Sequence, residues 1–194
     1  MHLEDAQLYL VLDSTVGAVA ADYCRAAISG GVDVIHLPAT LAATPDQVLE
    51  IRDVCRDEDA LLVISDDSTT AVEVEADGLH LTASTASIGQ ARAAIGVDGI
   101  VGMSTQSRSD AMLGLEMGAD YLLHWEGPLS PGSFAMLPGA AGHVLFAAGL
   151  QSVEDAERVV SQGVYRLCIE AKLLGSDNVT EQAAVYSRVL GRCM

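Results

Sequence analysis

Residues 31–37 read GVDVIHL, and the pattern that opens this stretch recurs along the chain at even intervals. In each copy a glycine or glutamate precedes a small apolar residue, which aspartate follows in three of the four copies. The copies begin at Gly31, Glu75, Gly118 and Gly163, which are 44, 43 and 45 residues apart. Two strand–helix units have this length, so the copies predict the beginnings of strands 2, 4, 6 and 8 in a protein of eight strands.

Short apolar runs alternate with amphipathic stretches from one end of the sequence to the other. Their near-continuous hydrophobicity is typical of strands covered on both faces, as in parallel sheets. The predicted strands are Leu8–Leu12, Val32–Leu37, Leu61–Ile64, Gly78–Leu81, Ile100–Met103, Tyr121–Trp125, Val144–Ala147 and Val164–Ile169. A doubly wound open sheet can alternate in this way, but the even spacing favours a single α/β domain over residues 1–194, a (β/α)8 TIM barrel.

Three helices carry a start signal, a capping residue with a hydrogen-bonding partner three positions later. Thr44-Pro45 with Gln47 predicts a capping box with proline in the first turn. The same spacing at Ser87 and Ser152 predicts two further capped helices.

The sequence has 194 residues, half of them hydrophobic, and a formal net charge of −17. A surface of this sign repels duplex nucleic acid and anionic membranes, so neither is expected as a partner. No apolar run approaches the roughly 20 residues that cross a bilayer, and the first residues lack the basic start of a secretory signal. The composition therefore predicts a soluble, acidic, cytoplasmic protein with one core. The four cysteines show no metal-ligand spacing, which predicts buried reduced thiols.

Side chains on a strand alternate between the interior and the exterior of a barrel, and the repeat gives the even strands a common register. The fifth residues after the repeat starts form one predicted inward-facing set: His36, His80, Leu123 and Cys168. The seventh residues form the next set: Pro38, Thr82, Trp125 and Glu170. We expect the second set at the carboxyl ends of the strands, where barrel active sites are built.

Seven segments stand in the order of a known enzyme family: LYLVLD, GGVDVIHL, ISDD, ADGLHL, GIVGMST, GADYLL and AAGL. On these segments the whole chain resembles the thiamine phosphate synthases and the related thiazole tautomerases. The resemblance implies a compact (β/α)8 barrel, a transferase of thiamine biosynthesis, and Mg²⁺ as cofactor. In such a synthase, hydroxymethylpyrimidine diphosphate loses pyrophosphate and thiazole phosphate captures the resulting cation.

The resemblance also implies roles for residues that match the family pattern. Asp66 corresponds to a metal-binding aspartate, and Ser65 corresponds to the asparagine before it. Ser104 matches a serine near the pyrophosphate, and Gly149 matches one of two glycines that follow strand 7. Ser130 lies in the loop after strand 6, where the family has a polar segment that ends in lysine.

Several charged residues of the family are absent. Along strand 2 the family has glutamine, arginine and lysine where this chain has His36, Pro38 and Thr40. The second metal-binding aspartate corresponds to Thr85, and the loop after strand 6 contains no lysine. One preorganised contact to a developing anion is commonly worth ~10² to 10³ in rate. We therefore expect the ordinary synthase activity to be lost or altered.

Three functions are compatible with the sequence. The first is a divergent member of the superfamily that binds a thiazole or pyrimidine phosphate, with Asp66, Ser104 and His36 as candidate catalytic residues. In that protein Trp125 can stack on the ring or close the barrel. The second is a binding or regulatory barrel without turnover. The third is a metal-dependent lyase, isomerase or hydrolase that uses His36, His80 and carboxylates.

Other positions have two interpretations each. Asp13 and Asp66 end two odd strands and can converge as an acid/base pair, or Asp66 and Asp67 can cap a helix. Lys172 suits either a Schiff base near the mouth of the barrel or an ion pair with a surface acid. Apolar positions on the last helix indicate either a homodimer or packing on the barrel: Val185, Val189 and Leu190.

Overall fold

The computed structural model describes residues 1–41, 43–82, 87–125 and 143–192. Over these residues eight parallel strands close into a barrel in the order of the sequence, with β1 paired to β8, which confirms the predicted fold. The strands are β1 (Leu8–Val11), β2 (Val34–Leu37), β3 (Leu61–Ser65), β4 (Gly78–Leu81), β5 (Ile100–Thr105), β6 (Tyr121–His124), β7 (Val144–Ala147) and β8 (Leu167–Glu170). The described α-helices are α1 (Ala20–Ser29), α2 (Pro45–Asp57), α3 (Ser68–Glu73), α4 (Ile88–Ile95), α5 (Arg108–Glu116), α6 (Val153–Ser161) and α7 (Val179–Val189).

The strands separate two hydrophobic clusters because their side chains alternate between the two faces of the sheet. One cluster fills the interior of the barrel and includes Tyr9, Tyr121 and Phe146. The other lies between the strands and the helices and includes Leu10 and Ile35. The interior is therefore a packed core with side chains in place of a pore.

The aspartates of the sequence repeat join neighbouring strands at the amino end of the barrel. Each carboxylate accepts a hydrogen bond from a backbone N–H group at the beginning of the preceding odd strand. The bonds run from Leu8 to Asp33, from Leu62 to Asp77 and from Val101 to Asp120, at 2.9, 2.8 and 2.7 Å. The repeat therefore fixes the position of each even strand against the odd strand before it.

The residue that opens each repeat turns the chain from a helix into the next strand. Gly31, Gly118 and Gly163 have positive φ angles of 98°, 93° and 88°, and Glu75 has a φ of 53°. Left-handed backbone of this kind commonly ends a helix, and glycine adopts it without steric cost.

Two strands begin later than the apolar runs predict. Strand β2 begins at Val34 instead of Val32, and β8 begins at Leu167 instead of Val164. The backbone N–H groups of Val32 and Val164 are bonded to carbonyls in the preceding helix, so they do not take part in the sheet.

Two of the three predicted helix caps are confirmed. The Thr44 side chain accepts a bond from the backbone of Gln47, whose side chain bonds the Thr44 backbone in return. Ser152 accepts a bond from the backbone of Asp155. The prediction for Ser87 is wrong, because its backbone is already near-helical (φ −93°, ψ −7°) and its side chain makes no capping bond.

The apolar residues of α7 face the barrel. Val189 packs against the outer hydrophobic cluster, Leu190 is buried and Val185 is half-buried. Packing therefore accounts for these residues, and the homodimer stays a prediction. Among the described helices, none combines the length and the apolar character that crossing a bilayer requires.

Three of the four cysteines lie in the described residues, and all three are buried and free: Cys24, Cys55 and Cys168. Burial raises the pKa of the Cys24 thiol to about 12. This confirms the prediction of buried reduced thiols for these three residues, while Cys193 lies outside the described residues.

Gly102 on β5 faces the ring of Tyr121 at such short range that a β-carbon at position 102 would lie 2.0 Å from it. We expect Gly102→Ala to lower the free energy of unfolding by about 1–3 kcal/mol or more, because the surrounding core leaves the ring little room to move. Urea denaturation measures this change. The control is Gly89→Ala in α4, where a β-carbon meets no atom within 4 Å. Equal stability of Gly102→Ala and the wild type would contradict the packing described.

Candidate functional site

The carboxyl end of the barrel contains the residues that the register predicted there. Strand β8 ends at Glu170, while Pro38, Thr82 and Trp125 each follow the last residue of an even strand. Trp125 packs against the interior cluster, which also contains Leu123 and Cys168 from the layer below. The predicted inward register of the even strands is therefore confirmed at these positions.

Two histidine–serine pairs lie inside the barrel below its mouth. Nε2 of His36 on β2 is 2.5 Å from Oγ of Ser65 on β3, and Nε2 of His80 on β4 is 2.9 Å from Oγ of Ser104 on β5. The two imidazole rings are adjacent, with centroids 4.8 Å apart. Both histidines and Ser65 are buried, whereas Ser104 is partly exposed. The structure thus brings together three of the predicted site residues, His36, Ser65 and Ser104.

Two tyrosines extend the second pair into the core. Nδ1 of His80 is 3.0 Å from the hydroxyl of Tyr121, which is 2.9 Å from the hydroxyl of Tyr9. The chain of contacts therefore runs from Tyr9 through Tyr121 and His80 to Ser104.

Burial makes this network electrically neutral. It lowers the pKa of His36 to about 3, and it lowers the pKa of His80 well below its usual value, with a smaller contribution from His36. Burial also raises the pKa of Tyr9 and of Tyr121, so both hydroxyls keep their protons. At neutral pH these groups can exchange hydrogen bonds but carry no charge.

One nitrogen of the network has no hydrogen-bond partner in the part of the chain that the structure describes. Nδ1 of His36 is buried and makes no hydrogen bond with any described residue. A buried polar atom in this state is uncommon, and a water molecule or a ligand group commonly provides the missing bond.

The two carboxylates predicted to converge are held separately. Asp66 is exposed, has a φ of 51°, and accepts hydrogen bonds from the backbone and hydroxyl of Thr82. Asp13 accepts bonds from Thr15 and from the backbone of Lys172. Burial raises the pKa of Asp13, but these hydrogen bonds outweigh burial and leave the pKa below its usual value. With different partners, the two residues do not form the predicted acid/base pair.

The helix-capping interpretation is correct for Asp67. Its carboxylate accepts bonds from the backbone N–H and the hydroxyl of Thr70 at 3.0 and 2.6 Å. These bonds lower the pKa of Asp67. Asp67 therefore begins α3, and Asp66 precedes the cap.

The described part of the site does not fit a metal ion held by side chains. No group of three or more histidine, cysteine, aspartate or glutamate side chains in the described ranges is placed to bind one. The Nε2 atoms of His36 and His80 face serine hydroxyls, and the Asp66 carboxylate is occupied by Thr82. This arrangement gives no support to the metal-dependent alternative, whereas Mg²⁺ held by Asp66 together with a substrate phosphate stays a prediction.

Trp125 lies beside the loop that follows β7. A β-carbon on Gly149 would lie 3.3 Å from Cε3 of Trp125, and Gly149 has a φ of 82°. Glycine at this position therefore lets the indole approach the loop closely. Trp125 and Gly149 form one wall of the mouth, while Ser130, also predicted to bind substrate, lies outside the described residues.

Lys172 follows β8 in a short 3₁₀ helix, Ala171–Leu173, and is exposed. Its Nζ atom lies 2.6 Å from a carboxylate oxygen of Glu170. The ion-pair interpretation of Lys172 is therefore confirmed.

Tyr9 and Tyr121 are not among the residues that the sequence pattern predicts for the site. Tyr121 has the same parity on β6 as the inward-facing Leu123, and Tyr9 on β1 pairs with the inward-facing Cys168. Gly102 on β5 leaves space for the Tyr121 ring. In the sequence, the signal for Tyr121 is a tyrosine of inward parity that pairs with a glycine on the neighbouring strand.

The sequence and the fold are similar to those of known proteins. The sequence model of the family described as thiamine monophosphate synthase matches residues 8–133. The chain is 28% identical over 179 residues to a thiamine-phosphate synthase of Halalkalibacterium halodurans, over 84% of each sequence. It is 35% identical over 124 residues to that of Natronomonas pharaonis, over 61% of this chain and 58% of the relative. The fold is similar to thiamine phosphate pyrophosphorylase from Pyrococcus furiosus, with a TM-score of 0.81, 24% identity and 97% of each chain covered.

Burial of neutral histidines makes the free energy of unfolding depend on pH. In the unfolded chain each imidazole takes up a proton below about pH 6.5, whereas folded His36 does so only near pH 3. The unfolded state therefore binds more protons between these values. Stability is fully present above about pH 6.5 and falls as the pH drops toward 3, by roughly 1.4 kcal/mol per pH unit for each such histidine.

We expect His36→Gln to remove about 2 kcal/mol of the stability loss that the wild type shows between pH 7 and pH 5. Urea denaturation at the two pH values measures the difference. The control is His143→Gln, because His143 is exposed and should leave the loss unchanged. A His36→Gln protein that loses as much stability as the wild type would show that His36 is not buried in its neutral form.

Proposed function

Because this chain belongs to the thiamine monophosphate synthase family, we propose that it binds a small heteroaromatic compound, a thiazole or pyrimidine phosphate, at the carboxyl end of its barrel. The ordinary synthase activity is lost in this proposal. The observation that carries it is the scarcity of positive charge at this end of the barrel. Transfer from a diphosphate requires cations or a metal ion to stabilise the departing pyrophosphate.

Most cations of the chain lie far from the mouth. The protein has ten lysines and arginines in total. Eight of them lie on the outer helices or at the amino end of the barrel: Arg25, Arg52, Arg56, Arg92, Arg158, Arg166, Arg188 and Arg192. Several are held there by carboxylates, as Arg92 is by Asp120 and Arg192 is by Asp33.

Two cations lie nearer the mouth. Lys172 is paired with Glu170, so its charge is largely compensated. Arg108 is the first residue of α5, is exposed, and makes no ion pair with another described residue. Residues 83–86 and 126–142 contain no lysine or arginine in their sequence. A diphosphate would therefore meet one uncompensated cation on a protein with a net charge of −17.

The described residues support binding of a flat ring better than binding of an anion. The indole of Trp125 is half-buried and offers an aromatic surface. The partly exposed hydroxyl of Ser104 offers a hydrogen bond, and Gly149 leaves room beside the indole. Recognition of a ring without the groups for pyrophosphate departure also favours the second candidate function, a binding or regulatory barrel without turnover.

We expect no thiamine phosphate from wild-type protein incubated with hydroxymethylpyrimidine diphosphate, thiazole phosphate and Mg²⁺. The double variant Pro38→Arg/Thr40→Lys restores two charges that the family has on strand 2. It should bind the diphosphate at least tenfold more tightly than the wild type, because each contact between a cation and a phosphate oxygen is a charge-assisted hydrogen bond. Isothermal titration calorimetry measures the affinity, and product formation is followed by chromatography.

The control adds the same charge at the amino end of the barrel, as Val97→Arg/Met117→Lys, at two exposed apolar positions. It should leave the affinity near the wild-type value. Efficient coupling by the wild type would refute the loss of synthase activity. Absence of binding for all thiazole and pyrimidine phosphates would refute the proposed ligand class.

A further inference from the structure

We propose that the site recognises its ligand through the ring, with the Ser104 hydroxyl as donor, and that it binds the unphosphorylated ring alcohol at least as tightly as the diphosphate. This inference rests on the proposed function and narrows it. Two observations carry it: the hydrogen-bond chain from Tyr9 to Ser104, and the neutrality of the polar groups below the mouth.

The direction of the chain follows from counting hydrogens. If Nδ1 of His80 carried the proton, it would donate to Tyr121, and Tyr121 would donate to Tyr9. The Tyr9 hydroxyl hydrogen, inside the core, would then have no acceptor among the hydrogen bonds of the described residues. Buried donors without an acceptor are rare because each forfeits its hydration.

The opposite direction gives an acceptor to every buried O–H and N–H hydrogen in this series of hydrogen bonds. Tyr9 donates to Tyr121, Tyr121 donates to Nδ1 of His80, and Nε2–H of His80 donates to Oγ of Ser104. Because Oγ of Ser104 accepts the hydrogen bond from His80, the hydroxyl hydrogen of Ser104 is directed to another acceptor. Because Ser104 is partly exposed, that acceptor is a ligand atom or solvent.

This direction defines the chemistry of Ser104. With Nε2 of His80 protonated, the imidazole cannot remove the hydroxyl proton, so Ser104 is a hydrogen-bond donor and does not act as a nucleophile. A ring nitrogen or a hydroxyl oxygen of a heteroaromatic compound is the acceptor that fits.

The His36–Ser65 pair adds further neutral groups below the mouth. Among the described residues, Nδ1 of His36 has no hydrogen-bond partner, and the Ser65 hydroxyl bonds only Nε2 of His36. These buried groups are neutral and bring no charge to the binding of a phosphate. Each phosphate on the ligand therefore adds hydration to be lost and repulsion from the acidic surface, and among the described residues only Arg108 offers an uncompensated positive charge near the mouth.

The test uses three ligands that share one ring: hydroxymethylpyrimidine, its monophosphate and its diphosphate. Calorimetric titration of the full chain, with and without Mg²⁺, should give the alcohol an affinity equal to or higher than that of the diphosphate. A diphosphate that binds more than tenfold tighter in either condition would overturn the inference and leave the proposed ligand class standing. No binding of any of the three would overturn the inference, and thiazole phosphate then tests whether the proposed ligand class falls with it.

Variants test the hydrogen-bond chain. Ser104→Ala should weaken binding of the alcohol roughly tenfold, which is the usual effect of one lost hydrogen bond. Tyr121→Phe should weaken it to a similar extent without touching the ligand, because His80 then loses the donor that fixes its proton on Nε2. The control is Tyr23→Phe, because the Tyr23 hydroxyl donates to the Ala171 carbonyl oxygen outside the barrel. Unchanged affinity in a folded Tyr121→Phe, or in Ser104→Ala, would overturn the role of the chain.

Discussion

The three carboxylates at the amino end of the barrel set the register on which the rest of the structure depends. Asp33, Asp77 and Asp120 each accept a hydrogen bond from the backbone N–H group of the first or second residue of the preceding strand. A shift of one residue would break these bonds and would also exchange the inner and outer faces of the strand. The same bonds therefore determine that the histidines face the interior, together with the tyrosines that support them.

Neutrality is the second property that organises the site. A barrel interior excludes water, so the histidines at its centre lose their protons and become partners for hydroxyl groups. The charges of the mouth are arranged differently, with Asp66 bound by Thr82 and Lys172 bound by Glu170. The described residues at this end of the barrel therefore combine many hydrogen-bonding groups with few uncompensated positive charges.

Much of this organisation could be predicted from the sequence because it depends on periodicity. The 44-residue spacing gave the eight strands, and the parity of the strands placed His36 and His80 inside. The contacts within the site could not be predicted, because they depend on distances across the barrel. Asp13 and Asp66 share a strand-end position but have different partners, and parity alone does not show that the hydroxyl of Tyr121 reaches His80.

The contact between Gly102 and Tyr121 has a consequence for the evolution of this chain. The absence of a side chain at Gly102 leaves space for the Tyr121 ring, and the hydroxyl of that ring bonds Nδ1 of His80. The two positions are therefore coupled. In a lineage of homologous barrels, a residue larger than glycine at position 102 should be accompanied by a residue smaller than tyrosine at position 121. The imidazole at position 80 should then lose its phenol partner. Covariation between strands β5 and β6 would thus record which members of the lineage retain this polar interior.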